Sequence, residues 1–339
     1  MKILIIGGTG TISTAVTTLL LEKGSDVTLY NRGNGKIDGA RCITGNRNDY
    51  ASFEETMKKS GEFDCVIDMV NYTPEDAESV VRAFKGRLGQ FIFCSTVDVY
   101  KKPAGMYPVK EDFQRGADPA FEYAHNKVLC ENILEEAGNR GDFALTILRP
   151  AATYQDSSTP ISLLGPGTAL LKRIRRGEPV IVLGDGTSFW TSCHRDDVGK
   201  AFAQAVCNPD TYGKAYNVTG DEWMTWEEYY TTAARAMNAP ATKFIPIPAG
   251  LLARMAPKSA EWCPLNFKFN SIYDNSAAKK DLNFKYTITW TEGVRRMIEL
   301  HDGKGEIDGS PEYPLYDLII QSYEEAGRKL AEELSLLDK

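Results

Sequence analysis

The N-terminal segment limits most strongly what this chain can fold into. Four apolar residues at 3–6 pass directly into the turn at 7–13, whose sequence is G-G-T-G-T-I-S. Such a turn between a strand and a helix is typical of dinucleotide-binding folds, because glycine lets the backbone approach a pyrophosphate closely. The start of the following helix offers free N–H groups to the same phosphates. Counted from Gly8 the spacing is GxGxxS, and counted from Gly7 it is GxxGxxS, so Ser13 replaces the last glycine.

Strands and helices are predicted to alternate along the first half of the chain. Short β-rich runs at 2–6, 26–30, 65–68, 90–94 and 144–148 are separated by helical stretches at 13–23, 50–59, 74–87 and 119–137. This alternation predicts βαβ units, and the nearly continuous apolar strands indicate a sheet covered on both faces. We therefore predict an α/β fold, a Rossmann-type doubly wound parallel sheet with a smaller C-terminal substrate lobe. The expected divisions are a dinucleotide-binding domain at 1–155, a mixed substrate-binding lobe with parts returning to the sheet at 156–300, and a C-terminal tail with a helix at 301–339.

Composition and charge narrow the classes of function. The chain has 339 residues and a formal net charge of −7, which disfavours nucleic acid or an anionic membrane surface as the main partner. No apolar window reaches the length of a transmembrane span, and the first apolar run is too short for a signal peptide. Because the seven cysteines form no CxxC pair and the three histidines are scattered, we expect free thiols in a reducing cytoplasm and no metal site. The basic run at 172–176 is expected to be a solvated face, with contact to an anionic substrate as the alternative.

The end of the second predicted strand bears on the choice of cofactor. Dinucleotide-binding folds that prefer NAD have an acidic residue here, which binds the adenosine ribose hydroxyls. This chain instead has Asn31 and Arg32, and an arginine can pair with the 2′-phosphate of NADP. We therefore expect NADP in preference to NAD, with a solvated surface arginine as the alternative interpretation. Asn46 and Arg47, which follow the third strand, are expected to flank the adenine.

Tyr123 and Lys127 form a candidate acid–base pair. They lie four residues apart, on one face of the helix predicted at 119–137. A free phenol has a pKa near 10, too high for a base at neutral pH. A neighbouring ammonium and the positive nicotinamide ring of a bound cofactor favour the phenolate and lower that pKa. The YxxxK pattern is common by chance, so its context has to support it.

Four further segments supply that context, and they occur in a specific order. They are S-T-V-D-V-Y at 95–100, L-R-P-A-A-T-Y at 148–154, H-R-D-D-V at 194–198 and Y-D-N-S at 273–276. With the glycine turn and the YxxxK pair, the chain resembles the extended short-chain dehydrogenase/reductases, the epimerase/dehydratase-like branch, over about residues 1–300. Its opening strand and the N-R-G ending of strand two are most similar to the atypical members of that family.

The resemblance implies a role for each matching residue. Tyr123 would be the general acid/base, Lys127 would bind the nicotinamide ribose, and Thr96 would hold the substrate oxygen, with Ser95 as the neighbouring candidate. Related proteins often dimerise by packing the YxxxK helix against its copy, so a homodimer is expected. Together with the motif positions above, the expected cofactor-binding residues are Gly7, Thr9, Gly10, Thr11, Ile12, Asn31, Arg32, Asn46, Arg47, Val70, Asn71, Lys127, Pro150, Ala151 and Thr153.

The chain departs from the family pattern at positions that bear on the substrate. Nucleotide-sugar epimerases usually have Asn where this chain has Ala152, and a diphosphate-binding Arg where it has Trp190. A second such Arg, before the segment at 273–276, is also absent. Losing bidentate arginines disfavours a nucleotide-sugar substrate. Sugar dehydratases place an Asp-Glu pair after the catalytic Thr, and only Asp98 remains here. The candidate substrate-binding residues are Ser95, Asp98, Ala152 and Trp190, although Trp190 equally fits plain core packing.

Three functions remain open at this point. The leading prediction is an NAD(P)-dependent oxidoreductase that transfers hydride to or from a sugar-like or other small hydroxy or keto substrate. The first alternative is a sugar or nucleotide-sugar epimerase that retains its cofactor. The second is an atypical member that binds RNA or the cofactor without turnover, as some chloroplast relatives of this branch do.

Overall fold

The computed structural model of the chain describes residues 1–338. Its strands are β1 (Lys2–Ile6), β2 (Asp26–Asn31), β3 (Arg41–Thr44), β4 (Phe63–Asp68), β5 (Leu88–Cys94), β6 (Ala144–Pro150), β7 (Ala152–Tyr154), β8 (Val180–Leu183), β9 (Phe189–Trp190), β10 (Ser192–His194), β11 (Lys214–Val218), β12 (Met224–Thr225) and β13 (Phe244–Ile247). Its helices are α1 (Thr11–Glu22), α2 (Tyr50–Lys59), α3 (Pro74–Phe84), α4 (Glu122–Asn139), α5 (Gly167–Arg175), α6 (Arg195–Ala205), α7 (Trp226–Ala236), α8 (Ala249–Met255), α9 (Ser276–Asp281), α10 (Trp290–Gly303) and α11 (Pro314–Ser335). Among these described helices, none combines the length and the apolar character needed to cross a membrane.

Residue contacts divide the chain into two compact units, each built from separate stretches of sequence. The first unit comprises Met1–Gln155, Thr191–Glu222 and Ile272–Thr289. The second comprises Asp156–Trp190, Trp223–Ser271 and the described residues from Trp290 onward.

A parallel sheet forms the centre of the first unit. Within residues 1–338 it has seven strands in the order β3-β2-β1-β4-β5-β6-β11, and every neighbouring pair is parallel. The strand order reverses between β1 and β4, which confirms the predicted doubly wound α/β class. Ligands of such sheets bind at the carboxyl ends of the strands where the order reverses. The glycine turn after β1 and the loop after β4 both lie at that position.

Alternate residues of the central strands face two different cores, which explains their continuous apolar runs. In β1, Ile3 and Ile5 belong to the core that α1 and α6 cover, whereas Leu4 and Ile6 belong to the core that α2, α3 and α4 cover. Because helices cover both faces, each position of such a strand is apolar.

The second unit contains two short strand pairs. Strands β8 and β13 are parallel, and β9 and β12 are antiparallel. Helices α5, α7, α8, α10 and α11 surround them, and aromatic side chains fill much of the space between α7 and α10. Trp290 stacks on Tyr229 there, with ring centroids 4.1 Å apart.

The basic run at 172–176 is not the solvated face that the sequence predicted. Lys172 and Arg173 are only 8% and 7% exposed. Lys172 forms an ion pair of 2.8 Å with Glu312, and Arg173 forms one with Asp317. Burial of a cation is tolerated when a carboxylate compensates it. The expectation is therefore wrong for these two residues, because a later segment supplies their partners.

Candidate active site

The turn between β1 and α1 has a backbone that only glycine adopts readily. Gly7 and Gly8 have φ angles of +108° and +95°, in a region where a side chain is strained. A Cβ at Gly8 would lie 2.6 Å from Cδ2 of Leu29, so the close approach to β2 also excludes a side chain. The N-terminus of α1 has no side-chain cap, and its first N–H groups are therefore available to an anion. This cradle fits a dinucleotide pyrophosphate. The other expected residues of the turn are exposed (Thr9, Gly10) or half-buried (Thr11, Ile12).

The loop after β2 carries an unpaired cation. Arg32 is exposed and forms no ion pair with the residues that the structure describes. The Oδ1 atom of Asn31 accepts a hydrogen bond of 2.8 Å from the Gly33 N–H, which fixes the turn. A Cβ at Gly35 would meet the side chain of Thr9 at 3.1 Å, so this loop packs against the glycine turn. The exposed guanidinium of Arg32 has the charge and the donors to bind a phosphate group.

The two residues expected to flank the adenine have different environments. Asn46 is exposed, and its Oδ1 accepts a hydrogen bond of 3.1 Å from the Asn48 N–H. Arg47 is 7% exposed, and its Nη2 donates to the Asp76 carbonyl at 2.6 Å. The Arg47 guanidinium carbon lies 4.2 Å from the ring centroid of Phe53, and its Nε and Nη1 have no hydrogen-bond partner among the described residues. Arg47 is therefore a buried cation with donors to spare.

Thr96, Tyr123 and Lys127 come together where β5 ends and α4 begins. The Thr96 hydroxyl lies close enough to the Tyr123 phenol to lower its pKa, and Thr96 Oγ1 also accepts a hydrogen bond of 3.2 Å from the Asp98 N–H. Lys127 is 2% exposed, and its Nζ donates to the backbone carbonyls of Asn71 and Cys94, each at 2.8 Å. Two fixed carbonyls orient this ammonium and leave its third N–H for another acceptor. The structure thus places the three predicted catalytic side chains in one group.

The electrostatics around Tyr123 differ from the sequence-based expectation. Burial raises the pKa of Tyr123 above the ordinary value, and the negative charge of Asp98 raises it further, whereas the nearby Thr96 hydroxyl lowers it. Asp98 itself forms an ion pair of 2.6 Å with Lys102. Burial also lowers the pKa of Lys127. In the chain alone, desolvation therefore outweighs the lowering effect that was expected from the ammonium, and Tyr123 is a neutral phenol at neutral pH.

The loop after β4 connects the glycine turn to the catalytic group. A Cβ at Gly7 would meet Cγ1 of Val70 at 3.3 Å, so Val70 lies against the turn. Asn71, the next residue, is fully buried, donates from Nδ2 to Asp68 at 3.2 Å and holds Lys127 through its carbonyl. The expected cofactor residues Val70 and Asn71 therefore lie between the glycine turn and Lys127.

Tyr72 is a residue of this site that the sequence analysis missed. It is 49% exposed, although it is large and apolar. Its ring centroid lies 6.5 Å from that of Tyr123 and 4.7 Å from Nζ of Lys127. An aromatic residue directly after the loop that holds the lysine was the available signal. Tyr72 offers an aromatic surface beside the phenol of Tyr123.

Ser95 is turned away from Tyr123, into a buried ionic network. Its hydroxyl donates to Glu131 at 2.5 Å. Glu131 also accepts hydrogen bonds of 2.9 and 2.7 Å from Arg149, and it pairs with Arg115. Burial opposes ionisation of Glu131, but these partners hold its pKa below the ordinary value. The network fastens α4 to β6, which ends at Pro150, and to the segment after β5 that contains Thr96.

The segment after β6 contains the remaining expected residues of the first unit. Pro150 ends β6, and the Ala151 N–H donates to the Val218 carbonyl at 3.2 Å. The Thr153 hydroxyl donates to the Ala151 carbonyl at 3.0 Å. Ala152 begins β7, which pairs with β10. This backbone is well fixed.

Trp190 lies in the second unit, where it is 4% exposed. It stacks on Trp226 with ring centroids 5.1 Å apart, and its edge contacts Phe267. This environment is an aromatic core.

Comparison with known proteins identifies the family. The sequence model of the NAD dependent epimerase/dehydratase family matches residues 3–219, well over half of the chain. The chain belongs to this family. This match confirms the resemblance to the family that the sequence showed.

Curated relatives differ among themselves in function. The chloroplast stem-loop binding protein of 41 kDa b from Arabidopsis thaliana is 24% identical over 335 residues, covering 94% of this chain and 84% of that protein. The 2'-dehydrokanamycin reductase of Streptomyces kanamyceticus is 24% identical over 277 residues, covering 81% of this chain and 77% of that enzyme. One relative is therefore named for binding a stem-loop and the other for reducing 2'-dehydrokanamycin.

Solved structures agree on the fold. The UDP-glucose 4-epimerase of Thermotoga maritima, solved with UDP-glucose, has a TM-score of 0.71 and 20% identity, covering 90% of this chain and all of that one. The dTDP-glucose 4,6-dehydratase of Bacillus anthracis, solved with NAD, has a TM-score of 0.70 and 13% identity, covering 93% and 99%. At these identities the likeness concerns the fold alone.

Proposed function

We propose that this protein is an NADP-preferring oxidoreductase that transfers hydride to or from a sugar-like or other small hydroxy or keto substrate. The proximity of the Thr96 hydroxyl to the Tyr123 phenol, in the group that also contains the buried Lys127, carries the proposal. Thr96 follows the end of β5, Tyr123 and Lys127 lie at the start of α4, and the turn after β1 is a cradle that fits a dinucleotide. The expected site residues keep their roles in this proposal, except that the Ser95 hydroxyl is engaged by Glu131 and Trp190 packs in an aromatic core.

The proton chemistry favours carbonyl reduction as the working direction. The bound cofactor would supply the hydride to the carbonyl carbon. The pKa of Tyr123 is raised, so the phenol carries the proton that the developing alkoxide oxygen needs. Thr96 would hydrogen-bond the same oxygen, and Lys127 would bind the ribose through its third N–H. In oxidation the same groups act in reverse, with Tyr123 as the base.

The substrate proposed is a small ring without a diphosphate. Trp190, at the position of an epimerase arginine, packs in an aromatic core, and a tryptophan offers no charge to a phosphate. The relative named as a 2'-dehydrokanamycin reductase supports a ketone on a sugar-like ring. Asp98 and Ala152 are proposed to contact the substrate, and Tyr72 supplies an aromatic surface beside the reacting carbon.

Cofactor preference is proposed from Arg32. Its guanidinium is exposed and unpaired among the described residues, which suits a 2′-phosphate. Replacing Arg32 by Ala is expected to weaken NADP binding by about tenfold or more, a loss of about 1.4 kcal/mol, and to leave NAD binding nearly unchanged. Calorimetric titration of both cofactors measures this. Tighter binding of NAD than of NADP by the natural protein would refute the preference.

An epimerase that retains its cofactor is the second candidate. Its support is the likeness in fold to nucleotide-sugar epimerases. Consumption of the cofactor separates the two functions, because a reductase oxidises one reduced cofactor for each product and an epimerase shows no net change. The near-ultraviolet absorbance of the reduced nicotinamide reports this directly.

The decisive experiment begins with a thermal-shift screen of NAD, NADP, sugars, ketosugars and sugar nucleotides, since a ligand of the folded state raises the melting temperature. With a substrate from that screen, Tyr123→Phe is expected to lower turnover by about 100-fold or more while the Kd for NADPH stays within about twofold. Thr96→Val tests the substrate-oxygen role in the same assay.

A matched control keeps the test specific. Tyr107→Phe removes a phenol in the same unit that lies outside the proposed group, and it is expected to leave turnover unchanged. Full activity of Tyr123→Phe would overturn the catalytic assignment. Salt-sensitive binding of an RNA stem-loop by the cofactor-free protein, without any turnover, would favour the function named in the chloroplast relative.

We propose a cytoplasmic location from the state of the cysteine thiols. The cysteines of the described chain are free, which is the state that a reducing cytoplasm maintains.

A further inference from the structure

Asp68 is a buried carboxylate that the proposed reaction does not use. It ends β4, and none of its surface is exposed. Its side chain lies on the same face of β4 as that of Val66, which packs in the apolar core covered by α2, α3 and α4. An ionised carboxylate in such a core is unfavourable unless other groups compensate it, so the charge of Asp68 requires a reason.

Asp68 fixes the loop that follows β4. Its Oδ1 accepts a hydrogen bond of 3.1 Å from the Val70 N–H, and its Oδ2 accepts one of 3.2 Å from Nδ2 of Asn71. The backbone carbonyl of Asn71 in turn accepts a hydrogen bond of 2.8 Å from Nζ of Lys127. The position of a carbonyl that orients the ammonium therefore depends on the Asp68 carboxylate.

The loop alone does not explain why position 68 carries a charge. The far end of the loop has its own anchor, since Oδ2 of Asp76 accepts hydrogen bonds of 2.9 and 3.1 Å from the N–H groups of Tyr72 and Thr73. At the near end, an amide or hydroxyl oxygen could accept the same N–H groups that Asp68 accepts. The negative charge must therefore serve another group.

The ammonium of Lys127 is that group. The neighbour of Asp68 on β5 is Phe93, and Nζ of Lys127 lies 4.7 Å from the centroid of the Phe93 ring. Nζ bonds to two backbone carbonyls, so its charge reaches Asp68 across the loop. Burial raises the pKa of Asp68, and the positive charges of Arg47 and Lys127 both act against that rise.

The other charged groups of this region already have partners. Arg47 lies 4.0 Å from the carboxylate of Asp76, so it has a counter-charge besides Asp68. Glu131 is the other carboxylate that acts on Lys127, and two arginines bind it. Asp68 is therefore the carboxylate that remains to balance the buried ammonium.

We propose that Asp68 is a positioning residue for Lys127: its carboxylate fixes the loop that orients the ammonium, and its negative charge balances that ammonium in a buried site. The proposal rests on the role of Lys127 at the nicotinamide ribose in the proposed function. Without the charge at position 68, Lys127 would lose its proton at lower pH, and the ribose hydroxyls would lose a charged donor.

Titrations of NADPH, with NADH in parallel, test the proposal without any turnover. The fluorescence of the reduced nicotinamide reports the Kd at each pH, from about pH 7 upward. Burial lowers the pKa of Lys127, so the affinity of the natural protein is expected to fall at alkaline pH, below the ordinary lysine pKa of 10.5. In Lys127→Met this fall should be absent.

The neighbours of Lys127 do not produce the same fall. Burial raises the pKa of the Cys94 thiol on β5 to about 11 and that of the Cys130 thiol on α4 to about 12. Burial also raises the pKa of Tyr72 above its ordinary value of 10.0. Glu131 has a lowered pKa and stays ionised throughout the range. The alkaline fall therefore reports Lys127.

Removing the charge of Asp68 is expected to move the midpoint of this fall. Asp68→Asn should shift it to lower pH by about one unit or more, because a nearby opposite charge changes a pKa by about 1–3 units. Asp68→Ser removes the same charge with a smaller side chain and should shift the midpoint in the same direction. Asp64→Asn is the matched control, because Asp64 lies on the same strand but is exposed, and its midpoint should not move.

Asn71→Ala separates the effect of the loop from the effect of the charge. It removes the hydrogen bond to Asp68 but keeps the carboxylate and the backbone carbonyl at position 71. It is expected to weaken binding of the reduced cofactor by about threefold or more at every pH, while the midpoint stays within about 0.5 unit of the natural value.

Three outcomes would overturn the inference. They are an affinity without an alkaline fall that depends on Lys127, a midpoint that the folded Asp68 variants leave unchanged, and an equal shift in Asp64→Asn. Circular dichroism at each pH shows that the variants are folded. Failure of the proposed function is distinguishable, because it appears as absence of turnover with every substrate of the screen while the Asp68 variants still shift the midpoint.

Discussion

Replacing Glu131 by glutamine tests the buried network of Ser95, Glu131 and Arg149 that fastens α4 to β6. Glu131 has no exposed surface and compensates Arg149, whose side chain is 2% exposed. Glutamine has nearly the same shape, but it turns an amide N–H₂ toward two guanidinium donors and leaves Arg149 without a counter-charge. Removing one partner of a buried ion pair costs about 3–5 kcal/mol. At roughly 2 °C per kcal/mol, the value for large domains, the Tm is expected to fall by roughly 6–10 °C.

Differential scanning calorimetry of Glu131→Gln and Glu135→Gln measures this effect against a matched control. Glu135 lies one turn after Glu131 in α4 and pairs with Arg115. The Glu135 side chain is 36% exposed. An exposed pair contributes about 0–1 kcal/mol, so the control should lose little stability. If the two variants unfold at the same temperature, the reasoning about the buried network is refuted.

The pH dependence gives a second check on the same variant. The pKa of Glu131 in the folded chain lies below its ordinary value of 4.5. A carboxyl group with a lowered pKa stabilises the fold fully above its unfolded pKa, and this contribution is lost as the pH falls through the folded pKa. The difference in Tm between the natural protein and Glu131→Gln should therefore stay constant from about pH 7 to about pH 5 and shrink only in stronger acid.

Two further predictions concern the cofactor cradle and the phenol. Gly8→Ala places a Cβ 2.6 Å from Leu29 at a positive φ, so it should lower the free energy of unfolding by about 1–3 kcal/mol. It should also reduce the increase in Tm that NADP causes. Calorimetry with and without NADP measures both quantities, and if neither changed, the predicted clash would be refuted. Asp98→Asn removes a charge that raises the pKa of Tyr123, so the alkaline limb of the pH–rate profile should move to lower pH. Lys102→Met leaves Asp98 without its counter-charge and should move the limb to higher pH, whereas two unchanged profiles would show that this charge does not reach the phenol.

Local patterns in the sequence were sufficient for the centre of the fold. The apolar run and glycines at the N-terminus predicted β1, the turn and α1, because strand burial and positive φ angles are properties of adjacent residues. The spacing of Tyr123 and Lys127 likewise predicted one helix face. The class of sheet followed from the alternation of strands and helices, and the structure confirms it.

Features that depend on distant partners were not predictable in this way. Ser95 and Thr96 are adjacent hydroxyls, and only the position of Glu131, 36 residues further on, decides that Ser95 is the one turned away. Arg47 follows β3 in a loop, but its side chain is buried because it donates a hydrogen bond to the Asp76 carbonyl and packs on the Phe53 ring. No short pattern in the sequence reports such pairings.

The segmented construction of the first unit has a consequence for synthesis on the ribosome. A nascent chain that has reached Gln155 contains β1 to β6, but it lacks β11, which pairs with β6, and α6, which packs against α1. Its β6 edge is unpaired and one face of α1 is uncovered, which are the features that expose a folding intermediate to aggregation. The nucleotide-binding unit is completed only when Ile272–Thr289 has emerged, after most of the other unit has been translated. Maturation of the two units is therefore coupled in time, and cutting the gene after codon 155 yields an unfinished sheet in place of a portable nucleotide-binding module.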